Sequence, residues 1–295
     1  MNPARTRRLF RTASALSPEV AGRLALRAFF ETQPRSNLRD ADAATDGAAQ
    51  IGAVQVRGKE IVTYAWGRGD ETVLLAHGWR GRASQFAPLV RELVAERLHV
   101  VAFDAPAHGA SARTSTDIRD WVGAIDALQQ KHGRFRLIVG HSFGALATLS
   151  AVRQGVTTAR VATISGAGTP RVFLDQFSAM LELDARAKAS FERRFLAHVD
   201  EDAASLALRY DALAHPLPPH VELLAVHDEN DAQVPAAASR DLVAAHPDRS
   251  AILLTQGLGH NRVLGADETL DAVVAFATGG LSRVRALTAR AATRE

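Results

Sequence analysis

From residue 51 to residue 255 the chain alternates short apolar runs with longer stretches in which apolar residues recur every three or four positions. The short runs are AVQV (53–56), IVTYAW (61–66), TVLLAH (72–77), HVVAFD (99–104), RLIVG (136–140), RVATIS (160–165), VELLAVH (221–227) and SAILLT (250–255). Several are continuously apolar rather than alternating, which is the pattern of strands covered on both faces. In residues 116–130, TDIRDWVGAIDALQQ, the residues Ile118, Trp121, Val122, Ile125 and Leu128 fall on one stripe, predicting a helix packed on a core. Strands alternating with helices predict an α/β domain with a mostly parallel sheet.

Two stretches break this rhythm. Between Ser165 and Val221 lie 55 residues, where a single crossover needs only about a dozen. Residues 170–213 read as two or three helices, forming either a second packing layer or a lid over a site. Ahead of the first strand, PEVAGRLALRAFFE (18–31) has Pro18 near a first turn and Val20, Leu24 and Ala28 on one stripe, predicting an amphipathic helix. Packing of that helix on the main domain is the plain expectation. The alternative is a weak membrane-surface contact through its arginines and the Phe29–Phe30 pair. Residues 34–50 are polar and weakly periodic, and read as a linker.

With 47% hydrophobic residues in 295, the chain has material for a sizeable core. The net charge is only +3, and nearly all basic residues are arginine, lysine standing only at 59, 131 and 188. No concentrated basic face suggests a nucleic-acid partner. There is no cysteine, which excludes disulfides, thiolate catalysis and cysteine-based metal sites and fits a cytoplasmic location. No apolar run approaches the roughly 20 residues that span a bilayer. The basic start (Arg5, Arg7, Arg8, Arg11) is not followed by a clean apolar segment of signal-peptide type.

The chemistry concentrates at GHSFG, residues 140–144. This is G-x-S-x-G between a strand-like run and a helix-like run. A nucleophile at so sharp a turn needs small flanking residues and is exposed beside the first N–H groups of the new helix. A serine nucleophile needs a base, and the base an orienting acid, in the chain order Ser, Asp or Glu, His. Asp231 follows the VELLAVH strand and His260 follows SAILLT, both at strand ends where open α/β sheets build their sites. Asp228 competes with Asp231 in the same loop. His141 adjoins Ser142, with a side chain expected to diverge from it, and His227 is expected to be packed at a strand end. The N–H groups of Trp79, after the TVLLAHG strand, and of Phe143 are the expected oxyanion donors.

AHGW, FDAPAHGAS, GHSFG, HDENDAQVP and GLGH, in this order over roughly residues 52–278, together resemble the α/β-hydrolase superfamily. The resemblance implies an eight-stranded, mostly parallel sheet flanked by helices, with a helical cap inserted after the sixth strand. The division expected is an extension and linker (1–50), a core (51–168 and 219–280), a cap (169–218) and a C-terminal tail (281–295). It implies Ser142 as nucleophile, His260 as base and Asp231 as acid, with no metal or organic cofactor. One departure is visible: the family often has Pro-Gly-His-Gly where this chain has Pro106-Ala107-His108-Gly109, so a positive φ at 107 is either not required or tolerated.

The expected reaction is hydrolysis of a small-molecule acyl compound, a carboxylic ester foremost, through an acyl-enzyme. Acyl transfer or thioester cleavage on the same residues, and a non-catalytic binding protein on this scaffold, remain as alternatives. Phe173, Phe177 and Met180, with Leu181 and Phe191, line an acyl pocket in one reading and form the cap's own core in the other. Arg80 and Arg82 either attract an anionic substrate or are solvated. The oligomeric state is not legible.

Overall fold

The apolar runs become eight strands because each places alternate residues on opposite faces of one sheet, and both faces are covered. The computed structural model describes residues 3–292. Its strands are β1 (Gln50–Val56), β2 (Lys59–Trp66), β3 (Thr72–Ala76), β4 (His99–Asp104), β5 (Phe135–His141), β6 (Arg160–Ile164), β7 (Glu222–Asp228) and β8 (Ser250–Thr255). They lie in the order β1-β2-β4-β3-β5-β6-β7-β8. The β1–β2 and β2–β4 pairs are antiparallel, and the remaining pairs are parallel. The β1–β2 turn falls at Arg57 and Gly58, both at positive φ (50° and 71°), the twist that suits a two-residue hairpin.

Leu74, Val101, Ile138, Val161 and Leu223 point to one face. There they meet α5 (Ile118–His132) and α6 (Phe143–Arg153). Val73, Leu75, Val100, Val139 and Val226 point to the other, covered by α4 (Ala87–Ala95) and α12 (Asp267–Ala292). In α5 the expected stripe is inward: Ile118, Trp121, Ile125 and Leu128 are buried. Asp117 caps its N-terminus and Gly133 ends it at φ 79°. Between β7 and α12 lie α10 (Ala237–Ala244) and α11 (Gly259–Arg262).

The long interval holds three helices, α7 (Pro170–Met180), α8 (Ala185–Val199) and α9 (Ala203–Tyr210). Each starts on a capping side chain, Thr169, Asp184 and Asp202 respectively. The N-terminal segment is two helices, α1 (Pro3–Leu16) and α2 (Pro18–Phe29). They pack on these three helices more than on the sheet: Phe10 and Ala25 share an apolar cluster with Leu174, Phe191, Phe195 and Val199. The stripe expected on α2 is not its buried face. Ala21, Gly22 and Ala25 are buried, whereas Val20 and Leu24 are 39% and 36% exposed. The Phe29–Phe30 pair is turned into the protein rather than outward, half-buried against rings of α7 and α8.

The segment expected to be a linker also differs. Residues 40–47 form α3 (Asp40–Gly47), and β1 begins within it at Gln50. The Thr45 carbonyl accepts from the Trp66 indole at 2.7 Å, and Arg91 reaches the Thr45 hydroxyl at 3.0 Å. Tertiary partners, rather than hydrophobic periodicity, fix this helix. Helix α12 breaks at Gly280 (φ 69°) and continues through residue 292. Of the expected tail, Leu281 and Val284 are therefore buried, and residues 293–295 lie outside the described residues. Among the described residues no helix is long and apolar enough to cross a membrane.

Candidate active site

Strand β5 ends and α6 begins within two residues, and Ser142 takes up the whole reversal at φ 53°, ψ −120°. This is a strained conformation for a residue with a Cβ, held only because its surroundings leave no alternative. The two flanking glycines make it sterically accessible. A Cβ at Gly140 would lie 2.5 Å from the Gly144 carbonyl oxygen, and one at Gly144 would lie 2.2 Å from that of Ala76. The Ser142 N–H donates to the Ile164 carbonyl at 2.9 Å, fixing the turn to β6.

The three residues proposed from separate strand ends come together. His260 Nε2 lies 2.9 Å from Ser142 Oγ, and His260 Nδ1 lies 2.7 Å from Asp231 Oδ2. Asp231 Oδ1 accepts from the N–H groups of Gln233 and Val234 at 2.8 and 3.0 Å. Burial alone would raise its pKa, but hydrogen bonds from His227, His260 and the Val234 N–H outweigh it and hold the carboxylate well below the usual range. Asp228, the competitor, faces away. Its carboxylate accepts from Thr255 Oγ1 (2.8 Å) and the N–H groups of Asn230 and Leu258 (both 3.0 Å). It ties the β7 loop to the β8 loop and does not touch His260.

Two histidines set aside as bases have positions that the sequence did not reveal. His141 Nε2 donates to the His260 carbonyl at 2.9 Å, so the ring beside the elbow steadies the backbone that carries the proposed base. Burial, reinforced by the nearby His260, pushes the His141 pKa down to about 3 and keeps it neutral. His227 is buried at the end of β7, with its Nε2–H shared between the Val234 carbonyl at 2.9 Å and Asp231 Oδ2 at 3.4 Å and Nδ1 accepting from Ser239 at 2.6 Å.

The turn after β3 carries the expected oxyanion segment. The Gly81 N–H closes on the Gly78 carbonyl at 3.0 Å, with Trp79 and Arg80 between them and Arg80 at φ 57°. Among the described residues, the N–H groups of Trp79 and Phe143 have no protein acceptor. The Trp79 indole stacks on Trp121 (ring centroids 5.6 Å apart, 17°), and the Trp121 indole N–H donates to the His77 carbonyl at 2.9 Å. Both nearby arginines have partners in the N-terminal segment, and neither lines the apolar cavity described below. Arg80 Nε donates to the Glu31 carbonyl at 3.0 Å, and Arg82 pairs with Asp46 at 3.7 Å. Ala107 settles the open question of the PAHG stretch: its φ is 64°, so positive φ is adopted there by a residue with a Cβ.

Next to Trp79 and Phe143 lies a narrow apolar cavity of about 30 Å³. Of the three proposed pocket residues only Phe173 lines it. Phe177 is turned into the α2–α8 contact, 5.1 Å from the Phe29 ring and 5.8 Å from that of Phe191, and Met180 is 54% exposed on the outside. Leu181 and Phe191 are buried in the same helical cluster. The helical period of α7 places 173 and 177 on neighbouring positions, but α2 occupies the space around 177. The other walls include Phe29 and Phe30 from α2, Phe195 and Val199 from α8, and Ile118 from α5.

A sequence model of the alpha/beta hydrolase family matches residues 73–285, well over half of the chain. The chain belongs to the alpha/beta hydrolase family. This alpha/beta hydrolase is 33% identical over 129 residues to a pimeloyl-[acyl-carrier protein] methyl ester esterase of Shewanella woodyi, across 39% of this chain and 48% of that protein. It thus spans about half the length of that curated relative. Among solved structures it is similar to a bacterial membrane phospholipase A (22% identity, TM-score 0.59, covering 83% of this chain and 90% of that one). An esterase of Pyrococcus furiosus is likewise similar (16%, TM-score 0.61, 86% and 96%). At these identities the solved structures speak for the fold of this alpha/beta hydrolase.

Proposed function

We propose that this alpha/beta hydrolase cleaves a small-molecule carboxylic ester through an acyl-enzyme on Ser142. The observation that carries the reading is the hydrogen-bonded chain Ser142–His260–Asp231. His260 Nε2 takes the hydroxyl proton as Ser142 Oγ attacks the ester carbonyl carbon. Asp231 holds the imidazole with its Nδ1–H inward and stabilises the imidazolium. The carbonyl oxygen gains negative charge and receives the free N–H groups of Trp79 and Phe143, each contributing on the order of 3 kcal/mol in the transition state. The tetrahedral intermediate collapses, the C–O bond to the leaving group breaks, and His260 returns the proton to the leaving alcohol. Water, deprotonated by His260, repeats the attack; the acid departs and Ser142 regains its proton. Helices α7–α9 act as the cap over this site, and the apolar cavity takes the acyl chain. No step calls for a metal or organic cofactor.

A fluorophosphonate probe tests the nucleophile: the wild-type protein labels and Ser142→Ala does not. Wild-type protein that stays unlabelled, or an alanine variant that labels equally, refutes the assignment and favours a binding protein on this scaffold. Release of free acid from p-nitrophenyl esters marks hydrolysis, whereas product formed only with an added alcohol or thiol acceptor marks acyl transfer.

A further inference from the structure

The alpha/beta hydrolase match begins at residue 73, yet one wall of the cavity beside Trp79 and Phe143 is built by Phe29 and Phe30, far upstream of it. We infer that the N-terminal helix α2 sets substrate specificity, with Phe29 and Phe30 limiting the length of an uncharged acyl chain bound next to Ser142. The inference rests on the acyl-enzyme reading above.

The geometry starts from the two free N–H groups. A carbonyl oxygen held by Trp79 and Phe143 directs the acyl chain along the side chains of the same two residues, and both side chains line the cavity. The ring of Phe30 stands opposite, 6.2 Å from Trp79, 4.2 Å from His198 and stacked on Phe195 at 6.0 Å. It bridges the oxyanion turn and helix α8. Directly after it, the Glu31 carbonyl accepts from both the Trp79 indole and Arg80 Nε at 3.0 Å. The wall and the turn that carries a proposed oxyanion donor are therefore one connected unit.

Helix α2 is held in this place by specific contacts. A Cβ at Gly22 would lie 2.5 Å from Ser190 Oγ and 2.8 Å from the Phe191 backbone nitrogen, so the α2 and α8 backbones approach as only glycine permits. Glu19 bonds Ser190, Arg193 and Arg194 of α8 at 3.0, 2.6 and 2.9 Å.

The lining also specifies chain chemistry. Its one charged member, Asp117, is already engaged by Arg119 and Arg57. A methyl-terminated chain is accommodated, and a chain ending in a carboxylate meets apolar rings and an aspartate with no free cation to neutralise it.

The test is the rate at which ethyl p-nitrophenyl alkylphosphonates of stepwise increasing alkyl length inactivate the full chain through Ser142. In the wild type each methylene that fits is expected to raise the rate about fourfold, up to a length beyond which the rate falls. Phe30→Ala is expected to move that limit longer by about two methylenes or more, and Phe30→Trp to move it shorter. Leu24→Ala, on the exposed face of α2, is expected to keep the wild-type profile. Unchanged limits in both Phe30 variants overturn the inference while leaving the nucleophile in place. Absence of wild-type inactivation at every length removes the acyl-enzyme reading, and this inference with it. A comparison that needs no variant uses wild-type protein and phosphonates ending in methyl or carboxylate. A rate at least tenfold lower for the carboxylate supports the apolar wall, and equal rates overturn it.

Discussion

Asp228 ends β7 and Asp231 stands three residues on, and their surroundings give them different partners. Asp231 Oδ2 faces His260 at 2.7 Å, whereas Asp228 spends its lone pairs on Thr255, Asn230 and Leu258. Asp231→Asn is expected to keep the fold and lower kcat by on the order of 10³–10⁴-fold, because the wrong imidazole tautomer is then held toward Ser142. Asp228→Ala is expected to cost roughly 2–3 kcal/mol by leaving buried donors unpaired; denaturant unfolding and ester turnover on the two variants separate these outcomes. Ala107, buried at φ 64°, carries strain that glycine lacks. Ala107→Gly is expected to raise Tm by about 1–3 °C without changing activity, and an unchanged or lowered Tm counts against strain at this turn.

Helix α2 shows how an element can be recognised while its buried face is missed. A hydrophobic stripe through Val20, Leu24 and Ala28 was the natural expectation, but of these only Ala28 packs, beside Ala21, Gly22, Ala25 and Phe29. Close helix contact selects small residues, whose hydrophobicity is slight, so periodicity gives them little weight. Gly22→Val is expected to force α2 off α8 and expose residues 1–39 to limited proteolysis, with the sheet domain left intact. Proteolysis no faster than wild type contradicts the close crossing. Helix α3 was hidden for a related reason: its sequence, DADAATDG, has no stripe, and its hold on the protein runs through Thr45 to Trp66 and Arg91.

At the scale of the whole molecule, three of the buried histidines, His77, His108 and His141, are held strongly toward the neutral form. Burial lowers His77 to about 4, and lowers His108 and His141 to about 3, the last two aided by neighbouring histidines. In the unfolded chain each titrates near 6.5. Between those values the unfolded state binds protons that the folded state does not, so stability falls as pH drops below about 6.5. With three groups the steepest slope is roughly 4 kcal/mol per pH unit. Asp231 acts in the same direction at lower pH, since its depressed pKa gives stability that is lost as the pH falls below the ordinary carboxylate range. Urea unfolding at pH 7.5 and pH 5 is expected to show the loss, and His108→Asn is expected to reduce proton uptake on unfolding by about one. A pH-independent midpoint across that interval excludes this account.

Strand order along the chain, the elbow at Ser142 and the strand-end positions of Asp231 and His260 were legible in the sequence, because local pattern dictates them. An apolar run buried on both faces, a glycine pair around a forced turn, and polar residues just past a strand are each written in consecutive letters. The residues alone left Asp228 competing with Asp231, the family resemblance chose Asp231, and the fold shows that carboxylate pointing at the imidazole. That His141 braces His260, that Phe177 turns away from the cavity and that Phe30 closes it required knowing which distant elements meet. Those contacts join residues 48 to 165 positions apart. A single sequence carries no periodic signal for such meetings; they are decided when α2 and α8 pack around Gly22, and when the loops after β5, β7 and β8 converge at one edge of the sheet.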